Sequence, residues 1–173
     1  PWVRINMSDN LWSSFSRRFS DPKKELRVFL KELPLFESFS DAQLRKVQSL
    51  LYQRHFNSGE IIFQANEPGV GMYIVKSGAV SILAAGDSGE RPIALLGPGH
   101  LLGEWSLFDE GTRSATAQAD EDCELVGLFR PDFLALCQSQ PELGNRLALH
   151  LAGVLCQKLR RLHREVNSFK TSS

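Results

Sequence analysis

The spacing of the apolar residues changes twice along this chain, and those changes limit the folds available to it. From Gln53 to Phe129 the apolar residues alternate in short runs, among them "EIIF", "MYIV", "AVSIL", "PIALL" and "ELVGL", with glycine-bearing turns between them. Such alternation is typical of short β-strands. Before Gln53 and after Phe129 the apolar residues recur at helical spacing. The pattern predicts an α+β, mainly β fold, with a jelly roll or barrel between two helical segments.

The helical segments carry their own start signals. Asp21 before Pro22 predicts a capped helix start, and Ser40 with Gln43 forms the pattern of a capping box ahead of a second helix. We divide the chain into an N-terminal extension, partly disordered or used for docking (residues 1–20), N-terminal helices (21–52), the barrel (53–129), and C-terminal helices with a tail (130–173).

The last helix is predicted to run from Glu142 to Val166, about 37 Å at 1.5 Å per residue. One stripe on it steps by four and three residues, the spacing of a coiled coil; it consists of Ala148, Ala152, Leu155, Leu159, Leu162 and Val166. A second stripe beside it, Leu147, Leu151 and Val154, could face the barrel. Two interpretations stay open: the first stripe pairs with a second copy of the chain, or one chain buries both stripes.

Composition excludes several functional classes. Lys plus Arg and Asp plus Glu number 20 each, so the chain has no overall charge bias toward nucleic acid or an anionic membrane. The three cysteines are odd in number and lack C-x-x-C spacing, which argues against a disulfide framework or a zinc site and favours the cytoplasm. The four histidines form no His-x-His pair, so a metal enzyme on a jelly roll is not expected. No run is apolar enough to span a membrane.

Arg113 raises the question that leads to a function. In "LLGEWSLFDEGTRSATAQA" it begins a predicted strand face that continues with Ala115, Ala117 and Ala119. Burying an unpaired guanidinium costs several kcal/mol, so an inward-facing Arg113 needs a partner, and its planar fork suits a phosphate.

The residues before Arg113 could complete such a site. Gly103 precedes a short helical turn predicted from Trp105 to Phe108, whose free N–H groups would favour an anion. A carboxylate at Glu104 would repel phosphate, but it could accept a hydrogen bond from a ligand hydroxyl. A phosphate with a nearby hydroxyl describes a nucleotide.

These residues resemble those of a known family. "GEWSLFDEGTRSA" is similar to the phosphate-binding cassette of cyclic nucleotide-binding domains, including the eight residues between Glu104 and Arg113. "FNSGEIIFQANEPGVGMYIVKSGAVSIL" resembles the strands and turns that precede the cassette in that family. The resemblance covers about Leu35 to Val166. It implies a jelly-roll barrel with N-terminal helices, a short cassette helix and a long C-terminal helix.

The resemblance also implies a ligand, cyclic AMP or cyclic GMP, and a set of binding residues. Glu104 would bind the ribose 2′-hydroxyl, while Arg113, Ser114 and the amides from Gly103 to Ser106 would bind the cyclic phosphate. Lys158 and Leu159 stand where bacterial transcription activators of the family have a Thr-Ser pair that reads adenine, and Trp105 replaces the usual leucine. The implied ligand-binding residues are Gly103, Glu104, Trp105, Ser106, Arg113, Ser114, Ala115, Lys158 and Leu159.

Two functions compete at this point. The first is a cytoplasmic sensor without catalysis or cofactor, in which the ligand shifts the long helix on a homodimer or an unknown protein effector. Direct DNA binding is not expected, because the activators continue into a helix-turn-helix domain whereas this sequence ends at "NSFKTSS". The alternative is a ligand-free interaction or dimerisation domain with a degenerate cassette, in which Glu104 pairs with Arg113.

Overall fold

The computed structural model describes residues 21–86 and 89–171, so the predicted N-terminal extension lies outside the described residues. The described part begins with helix α1 (Pro22–Glu32), a 3-10 turn (Pro34–Phe36) and helix α2 (Asp41–Gln48). Both predicted caps are present: the Asp21 carboxylate accepts a hydrogen bond from the Lys23 amide at 2.9 Å, and Ser40 and Gln43 form the capping box.

The described residues then form eight strands. They are β1 (Tyr52–Phe56), β2 (Ile61–Phe63), β3 (Gly71–Ser77), β4 (Val80–Gly86), β5 (Gly89–Leu96), β6 (Leu101–Leu102), β7 (Thr116–Ala119) and β8 (Cys123–Phe129). All strand pairs are antiparallel and form two four-stranded sheets, in the orders β1-β8-β3-β6 and β2-β7-β4-β5. This architecture confirms the predicted jelly roll.

The central strands of the first sheet, β3 and β8, are buried on both faces because they lie between the helices and the barrel interior. Met72 and Ile74 point from β3 into a core shared with the helices, whereas Val75 belongs to the core between the sheets. Alternate side chains of one strand therefore serve two cores. This arrangement fixes the helices against the barrel that carries the cassette.

Two helices follow the barrel, α3 (Arg130–Ser139) and α4 (Pro141–Thr171). With 31 residues α4 is longer than the predicted helix, about 46 Å at 1.5 Å per residue. Its first half is anchored by the buried side chains of Leu143, Leu147 and Leu151. In its second half Leu159 and Leu162 remain more than half exposed, so within the described chain the outer part of the coiled-coil stripe is not buried, whereas Ala148, Ala152 and Leu155 are partly buried. No helix among the described residues has the length and apolarity needed to cross a membrane.

The two halves of α4 predict different sensitivities to substitution. Leu147 is 1% exposed, so Leu147→Ala should lower the free energy of unfolding by about 2–5 kcal/mol through lost burial and a residual cavity. Leu149, two residues away, is 72% exposed, and Leu149→Ala should change that free energy by less than about 0.5 kcal/mol. Urea denaturation followed by circular dichroism measures both, and similar losses in the two variants would contradict this packing of α4.

Candidate functional site

A cavity of about 730 Å³ lies between the barrel, the segment after β6 and the second half of α4. This volume is in the range of sites for small molecules. Apolar side chains form much of its wall, including Phe63, Ile82 and Leu96. The structure places on this cavity every residue that the sequence implied for ligand binding: Gly103, Glu104, Trp105, Ser106, Arg113, Ser114, Ala115, Lys158 and Leu159.

Gly103 begins the cassette. Its φ of +69° lies in the left-handed region, which glycine adopts without the steric cost of a Cβ. A Cβ there would also lie 2.2 Å from Nη1 of Arg113. The 3-10 helix that follows covers Glu104–Leu107, one residue earlier than the predicted turn from Trp105 to Phe108.

Arg113 is 6% exposed and is held by several groups at once. Nη1 donates to the Gly103 carbonyl at 3.0 Å and to Ser106 Oγ at 2.9 Å, and Nη2 donates to the Gly71 carbonyl at 2.7 Å. Its Cζ lies 4.1 Å from the centre of the Phe63 ring. Burial lowers the pKa of Arg113, but a guanidinium stays charged in proteins. Protein carbonyls and a hydroxyl, rather than an anion, therefore provide the partners expected for this buried charge.

One nitrogen of Arg113 makes no hydrogen bond. Its Nε is buried and has no hydrogen-bond partner in the structure. Such a group is costly to bury alone. The protein contacts of Arg113 are therefore incomplete, although Nε itself is not open to the cavity.

The strand prediction around Arg113 is wrong in one respect. Strand β7 starts at Thr116, so Arg113 lies in the preceding loop and does not begin the strand face. The Arg113 amide donates to the Glu67 carbonyl, and its carbonyl accepts from the Asn66 amide, each at 2.8 Å. These bonds to another loop hold the segment outside the sheet. The loop extends through Ser114 and Ala115, and so the exposed Ser114 still borders the cavity.

Glu104 and Lys158 form a charged pair between the cassette and α4. Glu104 is buried, and its Oε1 lies 2.5 Å from Nζ of Lys158. Nζ also donates to the Leu101 carbonyl at 2.9 Å. The alternative pairing of Glu104 with Arg113 is therefore wrong, because the carboxylate faces the lysine of α4.

Sequence reasoning missed two groups that position Arg113. Phe63 and the carbonyl of Gly71 lie far from the cassette in the chain, and no local spacing connects them to it. Phe63 occurs in the predicted run "EIIF" and Gly71 precedes "MYIV", so the only sequence signal was that both belong to barrel strands. Lys158 was implied as a binding residue, but its pairing with Glu104 was not predicted.

The cavity thus combines four chemical features. A buried cation and nearby hydroxyls suit an anion, a carboxylate suits a hydroxyl, and apolar walls suit a flat ring. Among the described residues, no group of three or more His, Cys, Asp or Glu side chains could hold a metal ion.

Comparison with known proteins relates this chain to proteins with cyclic nucleotide-binding domains, which agrees with the chemical features of the cavity. The sequence profile of the family described as "Cyclic nucleotide-binding domain" matches residues 53–140. The cyclic AMP receptor protein of Thermus thermophilus is 43% identical over 124 residues, which are 71% of this chain and 57% of that protein. A cyclic nucleotide-gated potassium channel of Mesorhizobium japonicum is 35% identical over 113 residues, 65% of this chain and 30% of the channel. The chain therefore spans less than two thirds of these curated relatives.

The fold has a solved counterpart at comparable identity. The crystal structure of the Thermus thermophilus catabolite activator protein superposes with a TM-score of 0.70 and 40% sequence identity. The match covers 79% of this chain and 63% of that one.

The close contact between Gly103 and Arg113 predicts a glycine requirement. Gly103→Ala should lower the free energy of unfolding by about 1–3 kcal/mol, because the Cβ is strained at positive φ and displaces Nη1 of Arg113. A Cβ at Gly97 would meet no atom within 4 Å, so Gly97→Ala should stay within about 0.5 kcal/mol of the unsubstituted protein. Urea denaturation compares the two, and an unaffected Gly103→Ala variant would show that the cassette does not need this geometry.

Proposed function

The chain belongs to the cyclic nucleotide-binding domain family and is a regulatory domain of that family, and from this premise we propose that its cavity binds cyclic AMP or cyclic GMP. The observation that carries the proposal is Arg113, a buried cation that borders the cavity. No cofactor is needed, and the ligand is bound and released without chemical change.

The cyclic phosphate would bind at the Arg113 end of the cavity. Arg113 supplies the positive charge, Ser114 supplies a hydroxyl, and the amides from Gly103 to Ser106 lie at the start of the 3-10 helix. Charge-assisted hydrogen bonds of this kind each contribute about 1.5–3 kcal/mol. Ala115, the small residue after Ser114, leaves room for the ligand.

The nucleoside would occupy the rest of the cavity. The buried carboxylate of Glu104 would accept a hydrogen bond from the ribose 2′-hydroxyl, as the family resemblance implies. Trp105, Lys158 and Leu159 border the cavity on the side of α4 and would lie near the base. The apolar walls would take the faces of a purine ring.

The output would come from α4. Its first half is packed into the helical core, whereas its second half lines the cavity with partly exposed side chains such as Leu159 and Leu162. A ligand can shift α4 only if it binds one helix position more tightly than the other. Contacts to Lys158 and Leu159 on α4 provide a means for such a difference.

The exposed stripe on α4 supports a homodimer as the unit that responds. Leu159, Leu162 and Val166 are each at least half exposed and follow the coiled-coil spacing. A second copy of α4 would bury them. A protein effector, of unknown identity, would then recognise the ligand-dependent dimer in the cytoplasm.

A second candidate function has its own supporting observation. Two Arg113 nitrogens already donate to carbonyls and to Ser106, and Glu104 is paired with Lys158. The same contacts would hold the cassette as structure in a domain that binds no nucleotide and acts only through its α4 surface. Ligand titration distinguishes the two functions.

Isothermal titration with cyclic AMP and cyclic GMP tests the sensor. One ligand per chain should bind, and at 100 times its dissociation constant it should stabilise the fold by about 2.7 kcal/mol. Arg113→Ala should weaken binding at least 100-fold, and Arg113→Lys nearly as much, because lysine lacks the planar pair of donors. Arg91→Ala, at an exposed arginine of β5, should bind normally.

Absence of nucleotide binding by the folded protein would contradict the sensor function. If the unsubstituted protein is folded by circular dichroism yet gives neither binding heat nor a thermal shift with either nucleotide, the ligand-free interaction domain is the better description. A folded Arg113→Ala variant that binds like the unsubstituted protein would remove Arg113 from the site.

Dimerisation through α4 is tested by sedimentation. Leu162→Glu should convert the dimer to monomer, because it places a charge in the centre of the proposed interface. Gln157→Glu adds the same charge at an exposed position of α4 outside the stripe and should leave the dimer intact. If neither the unsubstituted protein nor Gln157→Glu forms a dimer at tens of micromolar, the stripe does not pair with a second copy.

A further inference from the structure

Lys158 is paired with the Glu104 carboxylate, the group that would bind the ribose hydroxyl of a nucleotide. We propose that Lys158 is an internal competitor of the ligand: its ammonium ties the second half of α4 to the cassette through Glu104, and the ribose hydroxyl must displace it. The competition rests on the proposed function, whereas the tether itself does not.

The contacts of Lys158 define the tether. Nζ lies 2.5 Å from Oε1 of Glu104 and 2.9 Å from the carbonyl of Leu101, so two of its three N–H donors hold the segment around the start of the cassette. The two acceptors flank Gly103 in the chain, and Lys158 belongs to α4. One side chain therefore joins the helix to both sides of the turn that positions Arg113.

The two halves of α4 differ in how firmly they are packed, and the tether acts on the weakly packed half. The first half of the helix is anchored to the body by buried leucines and by hydrogen bonds from His150 and Arg146 to the backbone around Leu35 and Ser38. In the second half, Leu159 and Leu162 are more than half exposed. The Lys158 contacts therefore constrain a part of α4 that buries little apolar surface.

The two partners differ in how readily they can leave. The Lys158 side chain is 45% exposed and can turn its ammonium into water, whereas the Glu104 side chain is 5% exposed and has no such route. A buried carboxylate needs a hydrogen-bond donor at all times. An incoming hydroxyl can supply one when the lysine leaves, so the exchange keeps Glu104 satisfied while it frees α4.

The competition gives the ligand a direct effect on the helix. Binding at Glu104 would release the Lys158 contact, and a firmer Lys158 contact would lower ligand affinity by the same free energy. The exchange thus supplies the unequal affinity for two positions of α4 that a ligand-dependent shift requires.

The test compares Lys158→Met, Glu104→Gln and the double variant with the unsubstituted protein. Lys158→Met keeps a flexible apolar stem but removes the ammonium, and it should bind the preferred cyclic nucleotide about tenfold more tightly. Without nucleotide, amide hydrogen exchange at residues 155–166 should be several times faster in Lys158→Met and in Glu104→Gln. The double variant should exchange no faster than either single one, because both remove the same contact.

Arg160→Met is the matched control. Arg160 is an exposed cation on the same helix and does not line the cavity, so its loss should change neither affinity nor exchange. Thermal denaturation of each variant confirms that it is folded. Should Lys158→Met not fold, the double variant, which leaves no unpaired buried charge, takes its place in the exchange comparison.

The outcomes separate this inference from the proposed function. Weaker or unchanged nucleotide binding by folded Lys158→Met would overturn the competition, and weaker binding would show that Lys158 supports the ligand instead. If no variant binds either nucleotide, the proposed function and the competition both fail. Exchange at residues 155–166 still decides the tether, since unchanged rates in both single variants would refute it.

Discussion

The buried guanidinium of Arg113 joins the parts of the structure that form the cavity. Its hydrogen bonds reach Gly71 at the start of β3 and Gly103 and Ser106 in the cassette, and its plane lies over Phe63 of β2. The desolvation of a charge costs several kcal/mol, so these partners must be in place together. The cassette is thereby fixed to both sheets, and the geometry of the cavity depends on this one side chain.

The cavity has one fixed side and one adjustable side. On the barrel side, the left-handed backbone conformation of Gly103 and the hydrogen bonds of Arg113 determine the positions of the polar groups of the cassette. On the other side, the half-exposed Lys158 reaches across from a helix whose outer half buries little surface. Electrostatic contacts at a partly exposed site are modest and can be exchanged, whereas the packed side would lose more if it moved. Under the proposed function, ligand-dependent motion is therefore expected in α4 rather than in the barrel.

Sequence reasoning found what local chemistry encodes. The caps at Asp21 and Ser40, the alternation in the barrel and the spacing from Glu104 to Arg113 are all local patterns, and the structure contains each of them. Sequence reasoning failed where contacts between distant parts of the chain determine the local structure. Alternation alone extended β7 back to Arg113, although bonds to the loop at Asn66 and Glu67 keep that segment out of the sheet. The Lys158–Glu104 pair joins residues 54 positions apart, which no short-range pattern can show.

The same side chains of α4 belong to the cavity and to the coiled-coil stripe. Leu155, Leu159 and Leu162 line the cavity, and they also lie at the positions that a second α4 would bury. A helix rotated toward the cavity would offer them to a ligand, and one rotated outward would offer them to a partner. Because one leucine cannot be fully buried on both sides, the proposed ligand binding and dimer packing would have to share this surface. Under the proposed function, a change in the Lys158 contact would alter both, and this shared stripe would connect the ligand site to an output.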